Sequence, residues 1–363
     1  MSSDPLPGEA AWAELVEGLR VAGDRIAADT SELGPAEQTD AYRALLRALS
    51  NQLGRFEVDR DRPELVPFNG WRQKMLLDNP DFRYWVADVS GDRRYRITGA
   101  LGDAVYTSIT AYSSSAPLTA TATGRIDSDS LTFDDDGCFS LTASREAPSD
   151  GGDWLELPEG AAAVWVRQFH HDASTDSLGW CRIDPIDAVP APPAIDAGRI
   201  AHRLVRLGTA ISMFPTVVAS SIDHDLEHPN EVRHWSEMAG GAAFTEPGIH
   251  YLRGSWMLED DEALVIEGDP VPCRYWNVML YSRFHNSLDY RARTVSVTDA
   301  TVAPVDGRYR IVISAADPGG RGDWLDSEGR AFGLFVFRFL QPERAPELPS
   351  VRRCLLAELM AER

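Results

Sequence analysis

Two segments of this chain, 170 positions apart, carry the same pattern, and this repeat limits the fold more than any other feature. Residues 136–155 and 306–325 align without a gap and are identical at 8 of 20 positions, with Asp-Gly at the start and Gly-Asp-Trp-Leu at the end. The match extends upstream, where residues 106–112 align with 275–281. Repetition at a fixed spacing is the signature of repeated architecture. We conclude that one structural unit occurs twice.

Alternating residues indicate that the repeated unit is built from β-strands. Phe139 and Leu141 alternate with more polar residues, and the second copy has an aromatic and an aliphatic residue at the matching positions. Such alternation places one face of a strand in a core. Further strand-like runs cover residues 118–123 and 130–133, and many short strands favour a β-sandwich or barrel. In the Gly-Asp-Trp motif we expect the Asp to accept backbone N–H groups and the Trp to close the end of the sandwich. The alternative is that Trp154 and Trp324 each form the floor of a ligand pocket.

Helical spacing of apolar residues predicts helices outside the β-rich units. The expected helices cover residues 8–28, 35–54 and 194–214, with another beginning at His228-Pro229 and a last one over 351–362. The fold class is therefore mainly β with helical additions, two jelly-roll-like β-sandwich units related by internal duplication plus N-terminal and central helices. The expected organisation is an N-terminal helical region (1–80), a first β-sandwich unit (81–184), a linker and helical insert (185–250), a second β-sandwich unit (251–343) and a C-terminal helix (344–363).

The composition is that of an acidic chain with few reactive amines and thiols. Its formal net charge of −21 over 363 residues disfavours nucleic acid and anionic membranes as partners, because both attract cationic surfaces. Lys74 is the single lysine, so any Schiff-base chemistry on a lysine would fall to it. The four cysteines are scattered without a C-x-x-C pair, as expected of free thiols in a reducing compartment. Because the N-terminus shows no apolar leader, we expect a cytoplasmic protein, and a homo-oligomer is left open.

Several segments of the second copy resemble a known family. These are EALVIEGDPVPCRYWNVMLYSRFHNSLDYR, DGRYRIVISAADPGGRGDWLDSEG and the closing Arg338, which aligns with Arg167 of the first copy. They resemble the C-terminal domain of the "twelve-fourteen" family among domains of unknown function, and DNPDFRYW and YRITG resemble its longer bacterial members. The resemblance implies a jelly-roll-like β-sandwich and implies no activity. The family pattern commonly has Asn before Trp-Leu, where this chain has Asp153 and Asp323.

The densest polar cluster, residues 282–291, follows a predicted strand and would lie in a loop at the mouth of the second sandwich. There His285 is the candidate general base, Asp289 the group that orients it, and Arg283 a clamp for an anion. Tyr290 is the remaining catalytic candidate. Candidates for ligand binding are Trp324, Trp276, Tyr281, Arg291 and His171. The alternative is a solvated loop held by local ion pairs.

Histidines elsewhere offer two further candidates. His224 and His228 are four positions apart, which on a helix would place both rings on one face, where they could bind a metal. Pro229 disfavours a helix at that point, so a solvated helix boundary is the alternative. The pair His170-His171 stands where the second copy has Leu340-Gln341. Because the pair occurs in one copy alone, it indicates either divergence toward function or an exposed strand end. No nucleotide-cofactor motif occurs in the sequence.

Two classes of function remain open from the sequence. The first is a cytoplasmic enzyme acting on a small organic molecule, hydrolase- or lyase-like, with His285 and Asp289 as an acid-base pair. Its pocket would lie between the two units or at the mouth of the second sandwich. The second is a non-catalytic β-sandwich protein that binds a carbohydrate or a partner through aromatic residues such as Trp154, Trp180, Trp276 and Trp324.

Overall fold

The computed structural model describes residues 8–114, 120–173, 177–191, 195–235, 246 and 248–362. Parts of the expected strand at 118–123 and of the expected linker and helical insert at 185–250 lie outside these ranges. The helices are α1 (Gly8–Asp29), α2 (Pro35–Gly54), α3 (Ala197–Ser221), α4 (Asp223–Glu227) and α5 (Leu356–Ala361). The strands of the first half are β1 (Val66–Pro67), β2 (Phe82–Asp88), β3 (Tyr95–Gly102), β4 (Tyr106–Ser113), β5 (Thr121–Asp127), β6 (Cys138–Ser144), β7 (Trp154–Glu156), β8 (Ala161–Phe169) and β9 (Leu178–Pro185). Those of the second half are β10 (Val232–His234), β11 (Ile249–Met257), β12 (Glu262–Gly268), β13 (Tyr275–Tyr281), β14 (Ser296–Thr298), β15 (Tyr309–Ser314), β16 (Asp323–Asp326), β17 (Phe332–Leu340) and β18 (Ser350–Leu355).

The duplication expected from the sequence is confirmed by the strand order. The first half has a five-stranded sheet, β1-β2-β8-β4-β5, and a four-stranded sheet, β7-β6-β3-β9. The second half has β10-β11-β17-β13-β14 and β16-β15-β12-β18, which is the same order with every strand number raised by nine. The strands that contain the Trp-Leu end of each repeated motif, β7 and β16, pair in parallel with β6 and β15. Each half is therefore a sandwich of the same topology.

Each sandwich has its own apolar core between its two sheets. In the first half, Ile97 and Leu141 from the four-stranded sheet pack with Ile109 and Val166 from the five-stranded sheet. The second half repeats this arrangement with a larger, more aromatic cluster. Burying one such side chain contributes about 1.5–3 kcal/mol before the entropy of ordering it is subtracted. The alternating apolar residues therefore point into the space between the two sheets of their sandwich.

The two sandwiches meet through their five-stranded sheets. Phe82 and Phe169 from the first half and Tyr275 and Leu340 from the second form one buried cluster. The ring centroids of Phe82 lie 4.1 Å from Phe169 and 5.5 Å from Tyr275. His171 adds a polar link, since its Nδ1 lies 3.1 Å from Oδ1 of Asp299 in the other half. The outer faces of the five-stranded sheets are therefore turned toward each other.

The helices form a third body beside the two halves. Helices α1 and α3 cross closely at Gly18, where a Cβ atom would lie 2.3 Å from the carbonyl oxygen of Gly208. Apolar side chains from α1, α2 and α3, among them Leu15, Leu45 and Leu207, make their own core. The segment Ala197–Glu227 is long and apolar enough to cross a membrane by length and composition, and a third of its most apolar window is buried in the protein.

Three expected elements were wrong. Residues 350–355 form strand β18, paired with β12, so α5 covers Leu356–Ala361 alone. No helix begins at His228-Pro229, because α4 ends at Glu227 and the chain then enters β10. The segment 130–133 forms a turn with one isolated bridge, from Phe133 to Phe139, instead of a strand. In the first of these cases a six-residue amphipathic segment fits a strand as well as a helix, and sheet pairing decided the outcome.

Candidate functional site

A cavity of about 700 Å³ lies where the two sandwiches and the helices meet. Its walls come from α2 and α3, from the five-stranded sheets of both halves and from the segment 75–78 that leads into β2. Much of the lining is apolar, including Phe68, Met75, Trp165, Leu207 and Trp235. A cavity of this size and character is typical of a site for a small organic molecule. We call it the central cavity.

The sheets carry an equivalent pair of polar residues into the interface. In the first half Tyr84 on β2 lies directly across from Arg167 on β8. In the second half Tyr251 on β11 lies across from Arg338 on β17. Directly opposed residues of neighbouring strands point to the same face, so each sheet presents a Tyr-Arg pair to the other half. Tyr84, Tyr251 and Arg338 line the central cavity.

Arg338 has an unusual environment for a buried cation. Its side chain is 5% exposed, and its Nη2 donates to the carbonyl oxygen of Leu77 at 3.0 Å. Its Nη1 has no hydrogen-bond partner, and no carboxylate forms an ion pair with it among the residues described here. The guanidinium instead lies 5.6 Å from the ring centre of Tyr281 and 6.0 Å from that of Tyr251. A buried charge without a paired charge is costly unless a ligand satisfies it.

The tyrosines of the cavity are hydrogen-bond donors at neutral pH. Burial raises the pKa of Tyr84 and that of Tyr251 above the ordinary value for a phenol. Burial also raises the pKa of Tyr281, and the neighbouring Arg338 opposes this effect. A neutral phenol donates one hydrogen bond. Arg338 and its tyrosine neighbours therefore provide positive charge and O–H donors on one wall.

The predicted acid-base pair is not brought together. Nε2 of His285 lies 2.7 Å from Oγ of Ser221, and its Nδ1 has no hydrogen-bond partner. Burial first, and Arg253 second, hold the pKa of His285 well below its usual range, so the ring is neutral. The Asp289 carboxylate accepts from the backbone N–H of Arg291, at 3.1 Å. His285 lines neither the central cavity nor the smaller cavity beside Trp71, and no hydrogen bond or ion pair joins it to Asp289 among the described residues.

The other members of that loop have separate roles. Nε of Arg283 lies 3.1 Å from Oε2 of Glu37, an ion pair between the second half and α2. Tyr290 packs edge-on against Trp71, with ring centroids 5.6 Å apart. Arg291 lies over the same ring at 3.4 Å. Asp289 lines a second, smaller cavity beside Trp71.

The predicted ligand-binding aromatics are mostly structural. Trp276 is buried in the second core, stacked against Phe337 and Phe339. Nε1 of Trp324 donates to the carbonyl oxygen of Ser314 at 3.2 Å, and Trp154 makes the equivalent bond to Ser144 at 3.1 Å. These matched bonds agree with the interpretation of the motif as a turn that closes a sandwich. Tyr281 is the ligand-binding candidate that lies closest to Arg338.

The histidine candidates do not assemble a metal centre. The rings of His224 and His228 lie with centroids 4.7 Å apart, as their spacing predicts. Within the described ranges, however, no group of three His, Cys, Asp or Glu side chains is placed to hold a metal ion. Asp225 between them is buried and binds Arg253 at 2.6 Å, which anchors α4 to β11. His170, expected at an exposed strand end, is fully buried, and His171 bridges the halves.

The sequence around Arg338 marks this residue as unusual. It is the one charged residue in the buried strand FGLFVFRFL, all nine positions of which are buried. A lone cation in a wholly apolar strand is expensive and therefore informative. Its surroundings could not be predicted, because Leu77 and Tyr251 lie far from it in the sequence.

The fold and this cavity define a class, a duplicated β-sandwich protein with a partly apolar, cationic cavity between its halves. The family model described as a protein of unknown function, DUF1214, matches residues 86–172 and 258–344, one stretch in each half. The chain belongs to this family and carries two copies of its domain, so the resemblance noted in the sequence is confirmed.

A solved structure shows the same architecture. A crystal structure of an uncharacterized protein from Burkholderia cenocepacia matches with a TM-score of 0.89 and 26% sequence identity, covering 96% of this chain and 97% of that one. A protein from Vibrio parahaemolyticus matches with a TM-score of 0.48 and 11% identity, over 92% of this chain and 99% of that one. No curated protein sequence matches the chain significantly. The fold is thus established by the first of these structures, and its printed description adds no activity.

Proposed function

We propose that this protein binds a small organic acid in the central cavity, with its carboxylate on Arg338 and its apolar body against Phe68, Trp165 and Leu207. The observation that carries the proposal is the unpaired Nη1 of Arg338, buried in the wall of a cavity of about 700 Å³. A guanidinium–carboxylate contact is short and charge-assisted, and it is stronger than a neutral hydrogen bond.

Charge elsewhere in the wall also favours a single anionic group. Arg203 donates to the carbonyl oxygens of Phe56 and Val58, and Arg55 is half-buried and paired with Asp88, although its Nε keeps one donor without a partner. Arg338 is the deep cation that retains a donor for a ligand. The remaining lining arginines, Arg60 and Arg206, are exposed to solvent. One buried charge without a paired carboxylate, beside a largely apolar lining, fits a monocarboxylate with an aromatic or aliphatic body.

A binding function is favoured over the expected hydrolase or lyase, because the lining of the central cavity includes no histidine among the described residues. It is also favoured over carbohydrate binding, because Trp276 is part of a core and offers no open ring face. The proposed ligand is a small organic molecule, as it was for the expected enzyme, and the proposed location is the cytoplasm.

Isothermal titration with matched ligand pairs tests the proposal. Benzoate and octanoate should bind, whereas benzamide and octanamide, which keep the shape and lose the charge, should bind at least about tenfold more weakly. Arg338→Met should remove the preference for the acid over the amide. Arg182→Gln, at an exposed ion pair with Asp184, is the control and should leave binding unchanged. Equal binding of acid and amide to the native protein would refute the role of Arg338.

Filling the cavity provides an independent test. Ala210 lines the central cavity from α3, and a larger side chain there would occupy the space of the apolar body without touching Arg338. Ala210→Leu should weaken octanoate binding while the circular dichroism spectrum and melting temperature stay close to native. Undiminished binding in this variant would place the ligand elsewhere.

A further inference from the structure

The second cavity, of about 270 Å³, lies beside Trp71 and is separate from the central cavity. Helix α2 contributes Arg43 and Arg47, which are four positions apart and therefore share a face. The segment before β2 contributes Trp71 and Lys74, the single lysine of the chain. The second half contributes the loop that contains Asp289. We call this site the Trp71 cavity.

Four cations converge on one indole ring. Measured to the ring centroid of Trp71, Arg291 lies at 3.4 Å, Lys74 at 4.1 Å, Arg47 at 5.0 Å and Arg43 at 5.5 Å. Cations are attracted to an indole face, but like charges gathered at one site also repel one another. A site of this kind gains stability when an anion joins it.

The carboxylates of the protein leave part of this charge unbalanced. Arg43 lies 3.5 Å from Asp40, and Arg291 lies 3.7 Å from Asp289, both longer than an ordinary charge-assisted bond. Arg47 and Lys74 form no ion pair with any described residue. Nη1 of Arg47 contacts the side-chain oxygen of Asn286 at 3.2 Å. Nζ of Lys74 donates to the carbonyl oxygens of Ser287 and Leu288, at 2.6 and 2.9 Å.

A shortage of carboxylates cannot explain the two unpaired cations. The chain has 56 acidic and 35 basic residues, and many of its exposed arginines are paired with Asp or Glu. Arg47 is 8% exposed and Lys74 is 0% exposed, so water does little to stabilise either charge. Asp40, Asp289 and Glu328 also line the cavity, but none of them forms an ion pair with Arg47 or Lys74. An anion that carries two charges would match these two side chains.

We propose that the Trp71 cavity binds the phosphate group of a small molecule, either free phosphate or a phosphate monoester, between Arg47, Lys74 and Arg43. A phosphate monoester carries a charge of about −1.5 to −2 at pH 7 and presents three acceptor oxygens. Arginine forks match this geometry. The proposal does not depend on the organic acid proposed for the central cavity, because the two sites share no lining residue.

The single lysine makes a direct test available. Burial lowers the pKa of Lys74 to about 7; Asp78 and Asp289 oppose this effect, and Arg47 and Arg43 add to it. Protein labelled with ζ-15N-lysine has one side-chain amine resonance to follow. Inorganic phosphate should shift this resonance saturably. It should also raise the pKa of Lys74 by about 1 unit, because a dianion that binds the ammonium form ten times more tightly than the neutral amine shifts the pKa by that amount. Sodium chloride at equal ionic strength should do neither.

Variants separate the proposed site from general ionic effects. Arg47→Met should weaken phosphate binding at least about tenfold, as expected for loss of a charge-assisted contact, while the exposed control Arg182→Gln should bind as the native protein does. A circular dichroism spectrum and a melting temperature close to native would show that Arg47→Met is folded. Tighter binding of methyl phosphate than of inorganic phosphate would assign the site to an ester, and the reverse order to the free ion. A resonance that does not respond to phosphate, or responds equally to chloride, would overturn the proposal.

Discussion

Arg167 and Arg338 occupy the same position in the two halves, yet only Arg167 is paired with a buried carboxylate among the described residues. Nη1 of Arg167 lies 3.3 Å from Oε2 of Glu246, and its Nη2 donates to the Tyr112 hydroxyl at 3.1 Å. Arg338 has the equivalent tyrosine, Tyr281, beside it and a cavity in place of the carboxylate. Duplication thus supplied two buried arginines, and the second one has become available to a ligand.

This asymmetry predicts different costs for removing each arginine. Arg167→Met should destabilise the protein by about 3 kcal/mol, because Glu246 would lose a buried partner and retain Arg125 and Ser108. Arg338→Met removes one hydrogen bond to Leu77 and an unpaired charge, so the loss should be about 1 kcal/mol or less. Urea denaturation of both variants at pH 7 measures the difference. Equal losses would mean that Arg338 has a partner of its own.

The crossing of α1 and α3 makes a second prediction. A Cβ at Gly18 would lie 2.3 Å from the carbonyl oxygen of Gly208, so the two helices must separate to admit it. Gly18→Ala should destabilise the protein by about 1–3 kcal/mol, the usual cost of overpacking.

Gly23, on the same helix, has nothing within 4 Å of an added Cβ and serves as the matched control. Gly23→Ala should stabilise by about 0.5–1 kcal/mol through helix propensity alone. Melting temperatures that move in the same direction for both variants would contradict the close approach of α1 and α3.

Local patterns were the part of the fold that the sequence revealed best. The bounds of α2 could be predicted because Pro35 suits a first helical position and apolar spacing continues to Gly54. Strand β18 was missed because six residues fit either period, although its counterpart β9 lies at the same sheet edge and the duplication predicts it.

The candidate sites were harder to foresee because they depend on long-range contacts. Arg338 donates to Leu77, and Lys74 to Ser287, across more than half of the chain. His285 and Asp289 are close in sequence, which suggested a pair, but the turn directs His285 toward Ser221 of α3. Backbone geometry contributes here, since His285 has a φ of 59°. Spacing alone contains no information about such a turn.

The repeated Gly-Asp-Trp turn offers a third prediction. The Asp153 carboxylate accepts from the backbone N–H of Thr132 at 2.6 Å, and that of Asp323 accepts from the N–H of Ala303 at 3.1 Å. Asp153→Ala should cost about 1–2 kcal/mol in stability, whereas Asp153→Asn keeps an acceptor and should cost less than half as much. The same order should hold at Asp323, and binding of benzoate should be unaffected at both positions. Loss of ligand binding with stability intact would favour the pocket interpretation of this motif.

Lys74 provides a pH-dependent prediction that is independent of any ligand. Burial lowers its pKa from 10.5 to about 7, so between these values the unfolded chain binds one proton more than the folded protein. The free energy of unfolding must then rise with pH across this window, by at most about 1.4 kcal/mol per pH unit from this group. Below pH 7 both states are protonated, and the cost of burying the charge is fully present.

Lys74→Met should therefore be more stable than the native protein near pH 6.5, and this advantage should shrink as the pH approaches 10. Urea denaturation of both proteins in phosphate-free buffer gives the difference, in which tyrosine and cysteine ionisations common to both cancel. Arg182→Gln should parallel the native curve throughout, because that arginine is exposed and stays charged. If the native and Lys74→Met curves were also parallel, Lys74 would have to be charged in the folded protein across the whole range.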